Sequence, residues 1–157
     1  MAFHTIVCIK SVMRAASKGA GRRTPENSEL NPFDRPALEA ALQLKDEQGG
    51  SVTALSMGPA VATEALVEAR AMGVDRAVLL CDAALAGSDT YVTSRVLAEA
   101  ARRLSPFDFL LFGTRAADSD TGQVGPQTAT AMEIPFVSGV RRMIPAGERW
   151  QAERLMD

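Results

Sequence analysis

The sequence predicts an α/β fold, a parallel sheet with helices on both faces, followed by a C-terminal extended segment or hairpin. Short aliphatic runs alternate with amphipathic stretches in the order β-α-β-α-β-α-β. Each run is brief, Val-, Ile- or Leu-rich, and bounded by Gly, Pro or Asp, which is how strands buried on both faces read. The chain has 157 residues, 46% hydrophobic and 23% charged, the composition of a folded domain and not of a disordered one. At that length roughly two-thirds of the unfolded surface can be buried, and with aromatics at only 5% the core must be aliphatic.

The elements follow in order. Strands are expected at residues 4–10, 51–57, 76–81 and 108–113. A helix over 36–48 puts Leu38, Ala41, Leu42 and Lys45 on one stripe, with Asp34 before Pro36 as its start and Gly49-Gly50 as its stop. A second, over 60–72, carries Val61, Ala65, Ala69 and Met72 and ends at Gly73, a natural left-handed cap. The third, 89–104, has Asp89 as N-cap, turns Val92, Val96, Leu97 and Ala100 inward, and stops before Ser105-Pro106. A fourth runs over about 124–133 to Ile134-Pro135, and 136–144 with 149–155, around Pro145-Ala146-Gly147-Glu148, read as a hairpin or a pair of extended segments. Residues 11–30 lack any period. They hold Arg14, Lys18, Arg22 and Arg23 with no acid before Glu26, and read either as a solvated basic flap or as a lid or partner-docking arm. Gly19-Ala20-Gly21 opens no dinucleotide fingerprint, since Thr24 takes the third glycine's place and Pro25 follows.

Composition narrows function. Seventeen Lys+Arg against nineteen Asp+Glu leave a charge of −2, which argues against nucleic acid or an anionic membrane as partner. No apolar run approaches the roughly 20 residues that span a bilayer. The first ten residues show no charged leader with a small-residue cleavage site, so a cytoplasmic protein is expected. Cys8 and Cys81 both lie in apolar runs without Cys-x-x-Cys spacing, and are expected as buried, reduced hydrophobes. His4 is the sole histidine, which removes Ser-His-Asp and Cys-His catalysis; a structural role is expected for it.

Ligands of such sheets bind at the carboxyl ends of the strands, where strand order reverses. The informative stretch there is Gly113-Thr114-Arg115-Ala116-Ala117-Asp118-Ser119-Asp120-Thr121-Gly122-Gln123-Val124-Gly125-Pro126-Gln127. It leaves a strand, is dense in small and hydroxyl residues, and enters a helix, gathering unpaired N–H groups and a helix dipole where a phosphate could sit. Gly122 and Gly125 would let the backbone approach an anion closely. A structural strand-to-helix turn is the alternative. The Walker pattern fails for want of Gly-Lys-Ser/Thr; the aspartyl-phosphate pattern fails because Gly122 stands where Thr is required; and Asp118 with Asp120 lacks a third metal ligand.

These residues carry a resemblance. Val7-Cys8-Ile9-Lys10, Asn31-Pro32-Phe33-Asp34, Ser56-Met57-Gly58-Pro59-Ala60, Ala71-Met72-Gly73-Val74-Asp75-Arg76-Ala77 and the Gly113 to Gln127 loop resemble, in order, the beta subunit of electron transfer flavoprotein. The resemblance implies a Rossmann-like domain of the adenine-nucleotide α-hydrolase type over 1–135, with 136–157 the start of a C-terminal extension. It implies an electron carrier without substrate turnover of its own, which pairs with an alpha subunit, shares that subunit's FAD, and holds AMP or a second FAD itself. Carried over by motif, the nucleotide would meet Cys8 and Met57 mostly through main chain, Asn31, Pro32, Phe33 and Asp34, then Gly113, Thr114, Arg115, Ala116, Asp118, Asp120, Thr121, Gly122, Gln123, Val124 and Gly125. Flavin dehydrogenases would supply electrons, and a quinone oxidoreductase or ferredoxin-type protein would accept them.

Two departures stand out. Gly122-Gln123-Val124-Gly125-Pro126 replaces the Asn-Gln-Thr-Gly of AMP-type members and is similar to members with a second FAD, and the chain is shorter than is usual in the family. A stand-alone ATP- or AMP-binding module of the universal-stress type shares the fold and is the rival reading, though it expects a Gly-rich loop ending in Ser/Thr.

Overall fold

The computed structural model describes residues 2–14, 23–147 and 149–155. Its elements in chain order are β1 (Phe3–Ile9), β2 (Ser11–Met13), β3 (Ser28–Leu30), α1 (Arg35–Gln48), β4 (Gly50–Met57), α2 (Thr63–Met72), β5 (Arg76–Leu80), α3 (Thr90–Arg103), β6 (Phe109–Phe112), α4 (Val124–Met132), β7 (Val140–Ala146) and β8 (Arg149–Arg154). The principal sheet has the order β5-β4-β1-β6, all parallel, with Val7 opposite Ala54 on one side and Leu111 on the other. The expected α/β class, four-strand sheet and C-terminal hairpin are all present.

Alternation along β1 and β4 divides the core in two. Val7, Ile9, Val52 and Ala54 face α1 and α2, meeting Leu38, Ala41, Ala65, Leu66 and Ala69. Ile6, Cys8 and Leu55 face the other way, against Leu97 and Ala101 of α3, with Val124 and Met132 of α4 at the margin. Small residues at these helix positions bring the helices close to the sheet, so aliphatic contacts do the work that the scarce aromatics cannot.

Helix faces differ from the expected stripes by about one residue. In α1 the third buried position is Leu44, and Lys45 instead sends its ammonium to the Asp75 carboxylate at 2.8 Å and the Gly73 carbonyl at 3.2 Å. Asp75 also accepts from Val52 N–H at 2.8 Å; with Lys45, this holds its carboxyl below the usual range and fixes the turn between α2 and β5. A short 3-10 turn, Ala60–Ala62, precedes α2 and buries Ala62 in place of Val61. In α3 the inward residues are Ser94, Leu97, Ala98 and Ala101, while Val92 is exposed, because the face against α4 admits only small side chains. The caps match expectation: Asp89 accepts from Val92 N–H at 2.8 Å, and Gly73 closes α2 in a left-handed conformation. Cys8 is buried, but Cys81 is exposed, since β5 ends at Leu80 and the chain turns outward.

Residues 11–30 are not structureless. Ser11–Met13 pairs antiparallel with Ser28–Leu30, burying Ser11, Val12 and Leu30. Three-residue strands of mixed polarity carry no readable period, so pattern could not reveal them. Lys18, Gly19, Ala20, Gly21 and Arg22 lie outside the described residues. His4 is structural: its ring nitrogens meet the Pro106 carbonyl at 2.8 Å and Thr53 Oγ1 at 3.0 Å, tying β1 to β4 and to the approach to β6. The β7–β8 hairpin is anchored by Trp150, whose ring stands edge-on to Phe3 and Phe109 with centroids 5.4 and 5.1 Å away. Among the described residues, no helix is long and apolar enough to cross a membrane.

Leu38 is wholly buried between α1 and the sheet. Leu38→Ala should cost about 2–5 kcal/mol in urea unfolding; a loss below about 1 kcal/mol would contradict this account of the core.

Candidate functional site

Strand order reverses at β1: the chain steps outward through β4 and β5, then crosses back to lay β6 on β1's other side. The crevice between the carboxyl ends of β1 and β6 is therefore where this topology places a ligand. It is the floor of an open cleft of about 2170 Å³ that also takes in the ends of β4 and β5 and the start of α3.

The turn 31–34 closes the crevice. Asn31, buried, donates its backbone N–H to the Lys10 carbonyl at 2.8 Å. Its side-chain amide donates to the Arg115 carbonyl at 2.8 Å and accepts from Ala117 N–H at 3.1 Å, so one residue joins the end of β1 to the loop after β6. Asp34, only 5% exposed, accepts from Lys10 N–H at 2.7 Å, with further hydrogen bonds from the Asn31 side chain and Gly113 N–H. Although it occupies the position before α1, it makes no capping bond there. At Gly113 a Cβ would lie 2.2 Å from the Asp34 carboxylate and 2.4 Å from the Phe33 carbonyl, so this position admits only glycine. Burial pushes the Asp34 carboxyl up to about 7, against the pull of its donors and of Lys10. Beneath it the Cys8 thiol is pushed far up, first by burial and then by the Asp34 charge, so it is not a nucleophile.

Cations stand at the mouth. Lys10 Nζ lies 2.7 Å and Arg23 Nη2 3.0 Å from opposite oxygens of Asp118, and Arg23 also donates to the Ser11 carbonyl at 2.7 Å. Partial burial alone would raise the Asp118 carboxyl, but Lys10 and then Arg23 hold it below the usual range. The Arg115 guanidinium lies over the Phe33 ring, 4.5 Å from its centroid, and pairs with Asp120 at 3.2 Å.

The structure thus sorts the residues singled out in the sequence. Cys8, Asn31, Asp34, Met57, Gly113, Thr114, Arg115, Ala116, Thr121, Gly122, Gln123, Val124 and Gly125 line the cleft. Pro32, Phe33, Asp118 and Asp120 stand outside its lining: Pro32 is exposed in the turn, Phe33 seats Arg115, Asp118 gathers Lys10 and Arg23, and Asp120 turns the loop with φ 56°. Gly122 also turns in the left-handed region, at φ 61°. Gly125 packs toward β6, where a Cβ would meet Phe112 and Phe136 in ordinary contact at 3.4–3.5 Å. Gln123 provides no side-chain cap to α4, leaving the N–H groups of the first turn without one, while Thr90 Oγ1 donates to Gln123 Oε1 at 3.1 Å. Lys10 and Arg23 join the site although no motif marks them for it: in the sequence they show as a cation at a strand end and another in the basic segment before Glu26.

A family model described as the electron transfer flavoprotein domain matches residues 23–157. The chain belongs to this family. It is 45% identical over 128 residues to an electron transfer flavoprotein subunit beta of Thermoanaerobacterium thermosaccharolyticum, covering 82% of this chain and 49% of the relative. A subunit beta of Clostridium acetobutylicum is 44% identical over 149 residues, covering 91% and 57%. Protein FixA of Bradyrhizobium diazoefficiens is 41% identical over 164 residues, covering 96% and 57%. The chain spans about half the length of these curated relatives. Membership in the electron transfer flavoprotein domain family decides against the universal-stress reading.

Asp34 sets a pH signature. Its carboxyl titrates near 7 when folded against 3.8 as the ordinary value, so the folded state holds the proton more tightly. The stabilisation is complete below the lower value and is lost as pH rises from about 4 to about 7, by as much as about 1.4 kcal/mol per pH unit. Asp34→Asn should flatten that slope in urea unfolding measured across the window; an unchanged slope would contradict the assignment.

Proposed function

We propose that the chain is the nucleotide-holding part of a beta subunit of a heterodimeric electron transfer flavoprotein. In this reading the β1/β6 crevice takes an adenine nucleotide, AMP or a second FAD, and the cleft supplies one wall of an FAD site completed by an alpha subunit. The observation that carries it is the crevice itself, closed by Asn31, Asp34 and Gly113 and overlooked by the uncapped start of α4. The printed names of the relatives, subunit beta among them, support the same reading.

The residues present fit such a ligand. The Asn31 amide and the Asp34 carboxylate are spent on backbone partners, which leaves main chain at Cys8, Met57 and the 113–124 loop to meet an adenine edge. Phosphate is served by the first-turn N–H groups of α4, with Pro126 inside that turn costing no needed donor, and by Lys10, Arg23 and Arg115 at the mouth. An incoming phosphate would compete with Asp118 and Asp120 for those cations. A flavin, when bound, supplies the one- and two-electron chemistry; the protein's part is to hold and orient it and to tune its surroundings.

Function as a carrier follows: electrons arrive from flavin dehydrogenases and leave to an acceptor such as a quinone oxidoreductase or a ferredoxin-type protein. No catalytic residue is assigned. Asp120-Thr121-Gly122-Gln123-Val124-Gly125-Pro126 is similar to members with a second FAD, and the beta site is proposed for AMP or a second FAD.

Co-expression with an alpha subunit should yield a stable yellow heterodimer. A colourless chain that elutes alone from size exclusion would overturn the proposal.

A further inference from the structure

A second concavity, of about 650 Å³, flanks α3 and runs from β5 to Ala131 of α4. Its floor is Val78 and Leu80 of β5 with Val96 of α3, and its rim is Arg95, Arg102 and Arg103. It exists because α3 settles over β1 and β4 through Leu97 and Ala101, leaving the β5 side chains on that face half-buried. Strand β5 is also a sheet edge. It pairs with β4 alone, and among the described residues nothing pairs with its other side.

We propose that this groove docks an extended, acidic segment of a partner protein, laid as an added strand along the free edge of β5. Main-chain groups of an edge strand are a template for such addition, and a groove beside the edge reads every second side chain. Here the reading is electrostatic. Three guanidiniums face a single carboxylate, Glu99, which is already shared by Arg103 at 3.1 Å and Arg102 at 3.9 Å. Arg102 is further anchored on the Ala131 carbonyl at 2.6 Å, and Arg95 lies against the Tyr91 ring, 5.7 Å from its centroid. Held on a rigid helix, these forks suit carboxylates. Alternation on β5 puts Arg76 on the same face as Val78 and Leu80, extending the positive row. In a chain whose net charge is −2 this concentration is local, and it repels a second copy of itself. Glutamates at alternate positions would lay their methylenes on Val78 and Leu80 and carry their carboxylates to the arginines.

The groove lies apart from the β1/β6 crevice, so its test is independent of nucleotide binding. The probe is a fluorescein-labelled peptide of alternating Glu and Val, titrated into the full-length protein and followed by anisotropy, with an alternating Lys and Val peptide as control. Saturable binding of the acidic peptide alone is expected, weakening with salt and falling at least about tenfold in the Arg95→Glu/Arg102→Glu variant, with circular dichroism and nucleotide content unchanged. No saturable binding, equal binding of the basic peptide, or full binding by the folded double variant would overturn the proposal. So would concentration-dependent dimerisation abolished by Val78→Lys, which would assign the groove to a second copy of the chain.

Discussion

One buried carboxylate holds the functional end of this domain together. Asp34 sits among the end of β1, the turn before α1 and the glycine that ends β6, and it receives hydrogen bonds from all three. Without such a residue the strand ends at the reversal point would present unpaired N–H groups to one another, and such groups are costly when buried. The same arrangement dictates its neighbours. Gly113 can carry no side chain because the carboxylate occupies that space, and Asn31 fixes the following loop through Arg115 and Ala117. These hydrogen bonds fix the shape of the crevice from within the chain, and such preorganisation would lower the ordering cost of the proposed binding.

Charge is graded outward from that point. The innermost carboxylate is the most desolvated and has the raised affinity for a proton, whereas Asp118 at the mouth is held ionised by Lys10 and Arg23. In the proposed reading, an anion would meet the ion pairs of Asp118 first and a hydrogen-bonded, largely main-chain floor beneath them. Exposed pairs of this kind are individually weak, so trading Asp118 for a phosphate costs little. Arg23 also ties the residues just before Glu26 to the cleft, through the Ser11 carbonyl and Asp118.

Much of this was legible from the residues alone. Aliphatic runs located all four strands of the sheet, and Asp89 and Gly73 marked helix ends correctly, because caps and periods are local properties. Helix faces slipped where packing overrode hydropathy: α3 turns Ser94 and Ala98 inward, a choice made by the neighbouring α4 and invisible within α3 itself. The short β2–β3 pair is illegible for the same reason, since its stability comes from burial of Val12 and Leu30 against the rest of the fold. At the site, the motif segments are gathered at one cleft, but motifs do not separate residues that line the cleft from those that brace it. Phe33 under Arg115 and Asp118 between two cations are bracing roles that only three-dimensional contact reveals.

The central claim is that the β1/β6 crevice is a preformed adenine-nucleotide site. Native mass spectrometry of the purified full-length protein, wild type beside Asn31→Leu, tests it most directly. The account predicts a bound AMP or FAD at the beta site of the wild type, lost or sharply reduced in the variant while the fold persists. Wild-type protein without any nucleotide at that site, or equal occupancy in the two proteins, would contradict it.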